Sequence, residues 1–330
     1  MKIGTRGSAL ALWQARTVAR LIRETGGPDC EIVIIRTSGD EGSGPPDPPA
    51  AFQNVKRMFV REIEEALLDG RVEIAVHSSK DLPGELPEGL FIGAALERED
   101  PRDALLLPQS KHGTEGVTAD GITSGASVTP RTSKPDFESV RTLLGRHPRV
   151  GTSSVRRSAE LRAIFPDAIF LPVRGNVDTR LRKLDAGECD VLVLAAAGVK
   201  RLGLAHRISA VIPTEVCLPA PGQGIVAVEI AERATPVVRE VVRRISDADA
   251  EAALLAERAV VLALGGGCQM PLGALATLDG QDIAVRGIVS SLDGRTIIRG
   301  RARGHRGGAA AVGEKLAAQL LGKGASALLK

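Results

Sequence analysis

The stretch at positions 150–158 concentrates hydroxyl and guanidinium groups. Those able to bind an anion belong to Thr152, Ser153, Ser154, Arg156 and Arg157. An apolar strand pattern gives way here to a helical one, so the free N–H groups and positive dipole of a helix N-terminus would face the same ligand. Guanidinium forks suit carboxylate or phosphate groups. The alternative is a solvated helix face whose arginines form surface ion pairs.

A second basic turn follows at 174–180, where Arg174 and Arg180 flank another strand-to-helix junction. Open α/β sheets bind ligands at the carboxyl ends of their strands, so two such turns in adjacent strand–helix units are expected at one sheet edge. The sequence contains neither the GxxxxGK[ST] nor the GxGxxG nucleotide loop. We therefore expect the ligand to be a set of carboxylates rather than a triphosphate.

A third candidate is the pair Lys80 and Asp81, which directly follows an apolar strand pattern at 72–77. Pro83 ends the regular structure there. A carboxylate in this position could hydrogen-bond N–H groups or transfer protons. The alternative is a turn aspartate whose charge is satisfied by the neighbouring lysine. His77 lies among apolar residues, and we interpret it as structural.

A cysteine on a glycine-rich bend is the fourth candidate. Three consecutive glycines precede Cys268, so its thiol is expected on a loop rather than in a packed helix. Such a thiol could be a nucleophile or a covalent anchor, whereas most lone cysteines are inert small hydrophobic residues. The segment 218–224, rich in Pro and Gly, is interpreted as an inter-domain connector, although its Gln223 could reach a ligand.

Composition excludes several function classes. The 330 residues carry a net charge of only +3, which provides no global attraction to nucleic acid or membranes. Six Phe, one Trp and no Tyr are too few for base-stacking platforms. Four Cys without a CxxC pair support neither a zinc site nor a disulfide framework. Without a signal-like leader or an 18-residue apolar run, we expect a cytoplasmic location and no bound metal.

Apolar periodicity predicts the elements that position these candidates. Short strands and helices alternate over 1–83 and again over 149–195, which is typical of mainly parallel, doubly wound sheets. A helix is predicted at 250–264, followed by a three-stranded antiparallel meander with Asp-Gly turns and a closing helix at 309–321. The intervening stretch 107–147 is predicted to be irregular, apart from one short helix at 137–144.

Seven stretches of the chain together resemble the porphobilinogen deaminase family, also called hydroxymethylbilane synthases. They are GTRGSALALWQA, EIAVHSSKDLP, EREDPRDA, VGTSSVRRSAEL, RGNVDTRLRKLDAGECDVLVLAAAGVKRLGL, LPAPGQG and GGGCQMPLGA, in the family's order. The resemblance covers nearly the whole chain, apart from an insertion at about 108–148 that has no family role we can assign.

The resemblance implies an α/β fold with two doubly wound domains, built like type II periplasmic binding proteins. A small α+β C-terminal domain with a three-stranded antiparallel sheet would follow. Domain 1 is expected to comprise 1–98 and 225–243, domain 2 to comprise 103–218 with the insertion, and domain 3 to comprise 247–330. The chain is expected to be a monomer.

The resemblance also implies an activity. Such enzymes join four porphobilinogen molecules head to tail, release ammonia each time, and hydrolyse off the linear tetrapyrrole hydroxymethylbilane. A dipyrromethane cofactor is bound through a thioether to the family's cysteine, which matches Cys268. The catalytic aspartate matches Asp81, whose expected role is to hold pyrrole N–H groups and stabilise the cationic azafulvene formed as ammonia departs. The product is expected to pass to a uroporphyrinogen synthase.

The remaining site residues also follow from the resemblance. Besides Cys268 and Asp81, it assigns to the cofactor Lys80, Thr152, Ser153, Ser154, Arg156, Arg157 and Asn176. It assigns to the substrate Arg6, Ser8, Gln14, Arg174 and Arg180. In the family's lid run, Lys56 and Phe59 are kept and two glycines are replaced, which puts the lid's flexibility in question. The alternative function is a non-enzymatic, two-lobed binding protein for a small polycarboxylate, which would leave Cys268 without a role.

Overall fold

The computed structural model describes residues 1–37, 57–109, 136–265 and 271–329, with the backbone alone at 57–59. Three β-sheets organise these residues. We call the units around the three sheets domain 1, domain 2 and domain 3. None of the described helices is long and apolar enough to span a bilayer.

Domain 1 surrounds the first five-stranded sheet. Its strands are β1 (Lys2–Thr5), β2 (Glu31–Ile34), β3 (Ile74–Ser78), β4 (Leu90–Ala95) and β10 (Val226–Ala231), and its described helices are α1 (Ala9–Glu24), α2 (Arg57–Leu68) and α7 (Pro236–Arg244). The strand order is β2-β1-β3-β10-β4. Strand β1 runs parallel to β2 and β3, whereas β10 runs antiparallel to β3 and β4.

Domain 2 repeats this arrangement. Its strands are β5 (Asp103–Leu106), β6 (Arg149–Gly151), β7 (Ile169–Leu171), β8 (Val191–Ala195) and β9 (Ala210–Val211), and its described helices are α3 (Phe137–Leu144), α4 (Val155–Leu161), α5 (Val177–Asp185) and α6 (Ala196–Arg201). The strand order is β7-β6-β8-β5-β9. Strand β6 is parallel to β7 and β8, and β5 is antiparallel to β8 and β9.

The one reversed strand in each sheet has a topological cause. The chain leaves domain 1 after β4 and enters domain 2 with β5, then leaves after β9 and returns with β10. Each reversed strand is therefore the first element after a crossing, at 96–102 and at 212–225. This double crossing between two mainly parallel sheets confirms the predicted class of two periplasmic-binding-protein-like α/β domains.

Domain 3 confirms the predicted meander. It contains α8 (Ala248–Ala263), β11 (Leu272–Asp279), β12 (Asp282–Ser290), β13 (Ile297–His305) and α9 (Ala309–Gly322). The sheet order is β11-β12-β13, and both pairings are antiparallel. Gly280 and Gly294 take positive φ angles in the two turns, which explains the Asp-Gly signals. One face of the sheet packs on α8 and α9 through an aliphatic core.

A buried carboxylate on α8 ties domain 3 to both crossings. Glu257 is fully buried and accepts hydrogen bonds from Arg98 Nη1 at 2.6 Å, from Gly222 N at 2.6 Å and from Ala276 N at 2.7 Å. Arg98 lies in the first crossing and Gly222 in the second. Separating Glu257 from Arg98 would leave a buried charge without a partner, which is costly. The contacts of Glu257 therefore hold domain 3 against both crossings, where the three domains meet.

The two helices of domain 3 approach closely at Gly313. A Cβ added there would overlap the backbone carbonyl oxygen of Ala256 and lie 2.8 Å from the Ala259 Cβ. A Cβ added at Gly322, at the end of the same helix, would meet nothing within 4 Å. Only the first glycine is therefore required by packing.

We expect Gly313→Ala to destabilise the protein by about 1–3 kcal/mol, because the added methyl forces α8 and α9 apart. The matched control Gly322→Ala should change stability by less than about 1 kcal/mol. Thermal and urea unfolding of the two variants would check this, and equal midpoints for both would contradict the close-packing explanation.

Candidate active site

A cavity of about 340 Å³ lies where the three domains meet. Domain 1 contributes a turn after β3, domain 2 the first turn of α4 and one residue of α5, domain 3 residues of α8 and β11, and the second crossing part of the wall. The polar lining residues that concern the site are Ser79, Lys80, Asp81, Ser153, Ser154, Arg156, Arg157, Arg180, Gln223 and Arg258. Seven residues assigned from the sequence are thus brought together in one cavity.

The turn that carries Lys80 and Asp81 is a single 3₁₀ turn, Ser79–Asp81. Ser79 N donates to Ile225 O at 3.0 Å, and Leu82 N donates to Ser79 O at 3.1 Å, so the turn is fixed against the second crossing. Burial lowers the pKa of Lys80 to about 8, with the neighbouring arginines acting in the same direction and Asp81 opposing them. An anionic ligand would offset this cost and favour the charged ammonium.

Arg156 and Arg157 share one deeply buried carboxylate, Asp103, at the start of β5. Arg156 Nη2 donates to Asp103 Oδ2 at 2.8 Å, while Arg157 donates to Oδ1 from Nη2 at 2.7 Å and from Nε at 3.0 Å. Burial alone would raise the pKa of Asp103, but the two guanidinium groups hold it well below its usual range. Both arginines therefore border the cavity with much of their donor capacity already used inside domain 2.

Asp103 is the main site residue that sequence analysis missed. Gln223 from the second crossing also donates to its Oδ1, at 2.9 Å, so one carboxylate joins domain 2 to the connector. A signal was present: an aspartate opens the apolar run DALLL, and a charge buried in such a strand requires a partner. The pair Arg156 and Arg157 supplied that partner.

A second buried acid, Glu160, lies behind the two arginines. Its Oε2 accepts from Leu218 N at 2.9 Å, and its Oε1 is 3.6 Å from Arg156 Nη1. Burial raises the pKa of Glu160 to about 7, although Arg156 and the Leu218 amide oppose the change. Glu160, which lies on α4 beside the second crossing, thus ionises close to neutral pH.

The described cysteines have environments that suppress their reactivity. Cys217 is fully buried, and burial raises the pKa of its thiol well above the usual value. Burial also raises the pKa of the Cys30 and Cys189 thiols. Since the thiolate is the reactive form, none of these three is a suitable nucleophile. Cys268 and Lys56 lie outside the described residues, as does the side chain of Phe59.

Several residues assigned from the sequence form helix caps or local contacts. The side chains of Ser8, Ser154 and Asn176 accept hydrogen bonds from the first turns of α1, α4 and α5. Ser153 Oγ donates to Val173 O at 2.9 Å, and Thr152 Oγ1 accepts from Ser154 N at 3.2 Å.

The α1 and α5 residues differ in how closely they approach the cavity. Gln14 is buried and donates to Ser78 Oγ at 2.7 Å, which ties α1 to the end of β3. Arg180 lies in the cavity wall, and burial, with Arg157 nearby, lowers its pKa while Asp81 opposes this across the cleft. Arg6 is partly buried and Arg174 is exposed; neither is among the residues that line the described cavity.

Fold and cavity define a two-lobed α/β protein with a small third domain and a mainly cationic cleft. Residues 1–239 match the family model for the porphobilinogen deaminase, dipyromethane cofactor binding domain, and residues 252–322 match its C-terminal domain. Porphobilinogen deaminases of Syntrophomonas wolfei and Syntrophus aciditrophicus are each 42% identical over 100% of this chain and cover 97% and 98% of their own lengths. The chain belongs to the porphobilinogen deaminase family, whose members are enzymes that condense pyrrole units.

Some solved structures show weaker similarity. The BvgS VFT2 domain of Bordetella pertussis is 14% identical with a TM-score of 0.39, covering 74% of this chain and 85% of its own. Immunogenic lipoprotein A of Vibrio vulnificus is 11% identical with the same TM-score, covering 76% of this chain and 96% of its own. The fold class follows from the strand orders and directions of the two five-stranded sheets.

The cavity fits the family's dipyrromethane cofactor, which carries carboxylate side chains and pyrrole N–H groups. Lys80 and Arg180 offer cationic donors to carboxylates. Ser79 Oγ and Gln223 Oε1 are buried without a hydrogen-bond partner among the described residues, and both residues lie in the wall. Oxygens of this kind, together with Asp81, can accept from pyrrole N–H groups.

Glu160 predicts a pH dependence of stability. The pKa of its carboxyl is about 7 in the folded chain and about 4.5 in the unfolded chain. Between these two values the unfolded chain loses the proton and the folded chain keeps it, so rising pH favours unfolding. Stability should therefore fall as the pH rises from 4.5 to 7, by up to about 3 kcal/mol. In Glu160→Gln this fall should be absent, so the melting temperature of the variant relative to wild type should increase with pH.

The matched control is Glu215→Gln, at an exposed carboxylate. Hydrogen bonds from its own backbone N–H and from Arg286 lower the pKa of Glu215. The difference between this variant and wild type should stay constant from pH 5 to pH 8. A Glu160→Gln difference that is equally constant would contradict the assignment.

Proposed function

We propose that this chain synthesises hydroxymethylbilane from four porphobilinogen molecules in the cavity between its three domains, with Asp81 as the catalytic carboxylate. The observation that carries the proposal is the convergence of all three domains on one cavity, in whose described lining a single carboxylate, Asp81, lies among five basic side chains. Family membership supplies the reaction. The geometry supports the assignment of roles.

Asp81 is suited to the step in which positive charge develops. As the C–N bond of the protonated aminomethyl group of porphobilinogen breaks and neutral ammonia leaves, the positive charge passes to the pyrrole and its methylene carbon. A carboxylate fixed in a 3₁₀ turn stabilises that charge and accepts a hydrogen bond from the pyrrole N–H. The new C–C bond then forms as the attacking pyrrole carbon loses its proton.

The basic residues divide into two groups. Lys80, Arg180 and the more exposed Arg6 and Arg174 are proposed to bind the acetate and propionate groups. Arg156 and Arg157 are held in place by Asp103. We propose that they border the cleft as fixed charges and donate their remaining N–H groups to the ligand. We propose that six further polar side chains shape the N-terminal parts of α1, α4 and α5 around the ligand. They are Ser8, Gln14, Thr152, Ser153, Ser154 and Asn176.

Cys268 is the proposed attachment point of the dipyrromethane. The three other cysteines are described, and burial makes each a poor nucleophile. The segment bearing Cys268 connects α8, which borders the cavity, to β11, whose Leu272 also borders it. When bound, the cofactor supplies the free pyrrole carbon at which the chain is extended.

Other features remain proposals of the same kind. We retain the domain boundaries at 1–98 with 225–243, 103–218 and 247–330, and Lys56 and Phe59 as lid residues. A cytoplasmic, monomeric enzyme that passes its product to a uroporphyrinogen synthase fits the class of reaction, because a linear tetrapyrrole is a reactive intermediate that requires a cyclising enzyme.

The non-enzymatic binding protein remains the alternative to exclude. Intact-protein mass spectrometry separates the two functions directly. Protein made in a host that produces porphobilinogen should carry the added mass of two pyrrole units and give colour with Ehrlich's reagent. Cys268→Ser should lose both signals, whereas the control Cys30→Ser should keep them. Unmodified wild-type protein would count against the proposal.

Asp81→Asn should lower kcat at least about 100-fold, since it removes the negative charge that faces the developing cation. The variant should still carry the covalent adduct. Its control is Asp178→Asn, at an exposed site in the first turn of α5. Ammonia release assayed at saturating porphobilinogen would measure the effect, and near-normal turnover in the Asp81 variant would remove Asp81 from this role.

A further inference from the structure

The turn that carries Asp81 is held from domain 3 as well as from domain 1. Arg258 of α8 donates from Nη1 to Pro83 O at 3.0 Å and from Nη2 to Gly84 O at 2.6 Å. These carbonyls lie two and three residues beyond Asp81, just after the 3₁₀ turn. One guanidinium fork therefore clamps the backbone that follows the proposed catalytic carboxylate.

The same helix leads to the segment that bears Cys268. Helix α8 ends at Ala263, five residues after Arg258, which corresponds to about 7.5 Å along the helix axis. Its neighbour Glu257 binds both crossings, as described above. Two consecutive residues of α8 thus make different attachments. Glu257 fixes the helix to both crossings, and Arg258 fixes the backbone after the Asp81 turn to the helix.

The packing of α8 against domain 1 is incomplete. A second cavity, of about 650 Å³, is lined by residues of α8 and of β4. Leu255 and Leu262 of α8 line it and remain 51% and 43% exposed. Arg258 lines both cavities, so its two hydrogen bonds join α8 to domain 1 at a place where the interface between them is open.

We propose that Arg258 is a positioning residue, which holds the Asp81 turn in register with the pyrrole chain attached through domain 3. Arg258 acts through the carbonyls of Pro83 and Gly84 rather than on the reacting atoms. This inference rests on the proposed function. Without the fork, α8 and the turn can shift relative to each other, and misplacement by about 1 Å can cost a reaction up to about 100-fold.

The test compares Arg258→Gln with wild type, both bearing the covalent adduct. In the variant, kcat should fall at least about tenfold while KM for porphobilinogen changes less than about threefold, because positioning rather than carboxylate binding is lost. Intact-protein masses during turnover should show short pyrrole chains accumulating on Cys268. Arg258→Lys retains a cationic donor for these carbonyls and should recover part of the lost kcat.

The control is Arg306→Gln, which removes an ion pair within domain 3, with Asp249 at 2.6 Å, away from the cavity. It should leave kcat within twofold of wild type. A similar kcat for Arg258→Gln and wild type, or an equal loss in the Arg306 variant, would overturn the inference. If Arg258→Gln does not fold or does not carry the adduct, Arg258→Lys is measured in its place. A wild-type kcat in that variant would also overturn the inference. An absent adduct and no turnover in wild type would instead refute the proposed function.

Discussion

The active-site cleft depends on one buried carboxylate, Asp103. It compensates the charges of two buried guanidinium groups, and it also accepts a hydrogen bond from Gln223 of the second crossing. A buried ion pair is not necessarily a large source of stability, but loss of one partner leaves buried charge and costs several kcal/mol. Asp103 therefore determines where Arg156 and Arg157 point and how the second crossing sits against domain 2.

The contacts with Asp103 change how the role of the pair Arg156 and Arg157 is interpreted. The sequence indicates two free forks for an anionic ligand, but the structure shows both engaged by Asp103. Arg156 also donates to Leu218 O at 2.6 Å, and Arg157 donates to Val193 O at 3.2 Å. Their proposed contribution to ligand binding is therefore a fixed electrostatic field with a few remaining donors, which requires little reorganisation when a ligand arrives.

Sequence patterns predicted the elements whose signals are local. The antiparallel meander of domain 3 follows from two Asp-Gly turns, and α1 follows from Ser8 as its N-cap and an apolar stripe. The strands β4, β5, β9 and β10 were not identified individually, because buried strands on both sides of a crossing carry no alternation. Asp103, Glu257 and Arg258 were missed for a different reason: each has a hydrogen-bond partner 53 or more residues away along the chain, which local patterns do not reveal.

The basic residues of the cavity fall into two groups according to the direction in which their pKa values are shifted. Arg156 has a raised pKa because Asp103 and other nearby groups outweigh the effect of its burial. Lys80 and Arg180 have lowered pKa values because burial outweighs the attraction of Asp81. A ligand carboxylate would therefore gain most from Lys80 and Arg180, whose burial is still undercompensated. Asp81 attracts both of these cations from the wall of the same cavity, so the cavity can hold the ligand's acid groups and the developing pyrrolic cation with neighbouring groups of opposite charge.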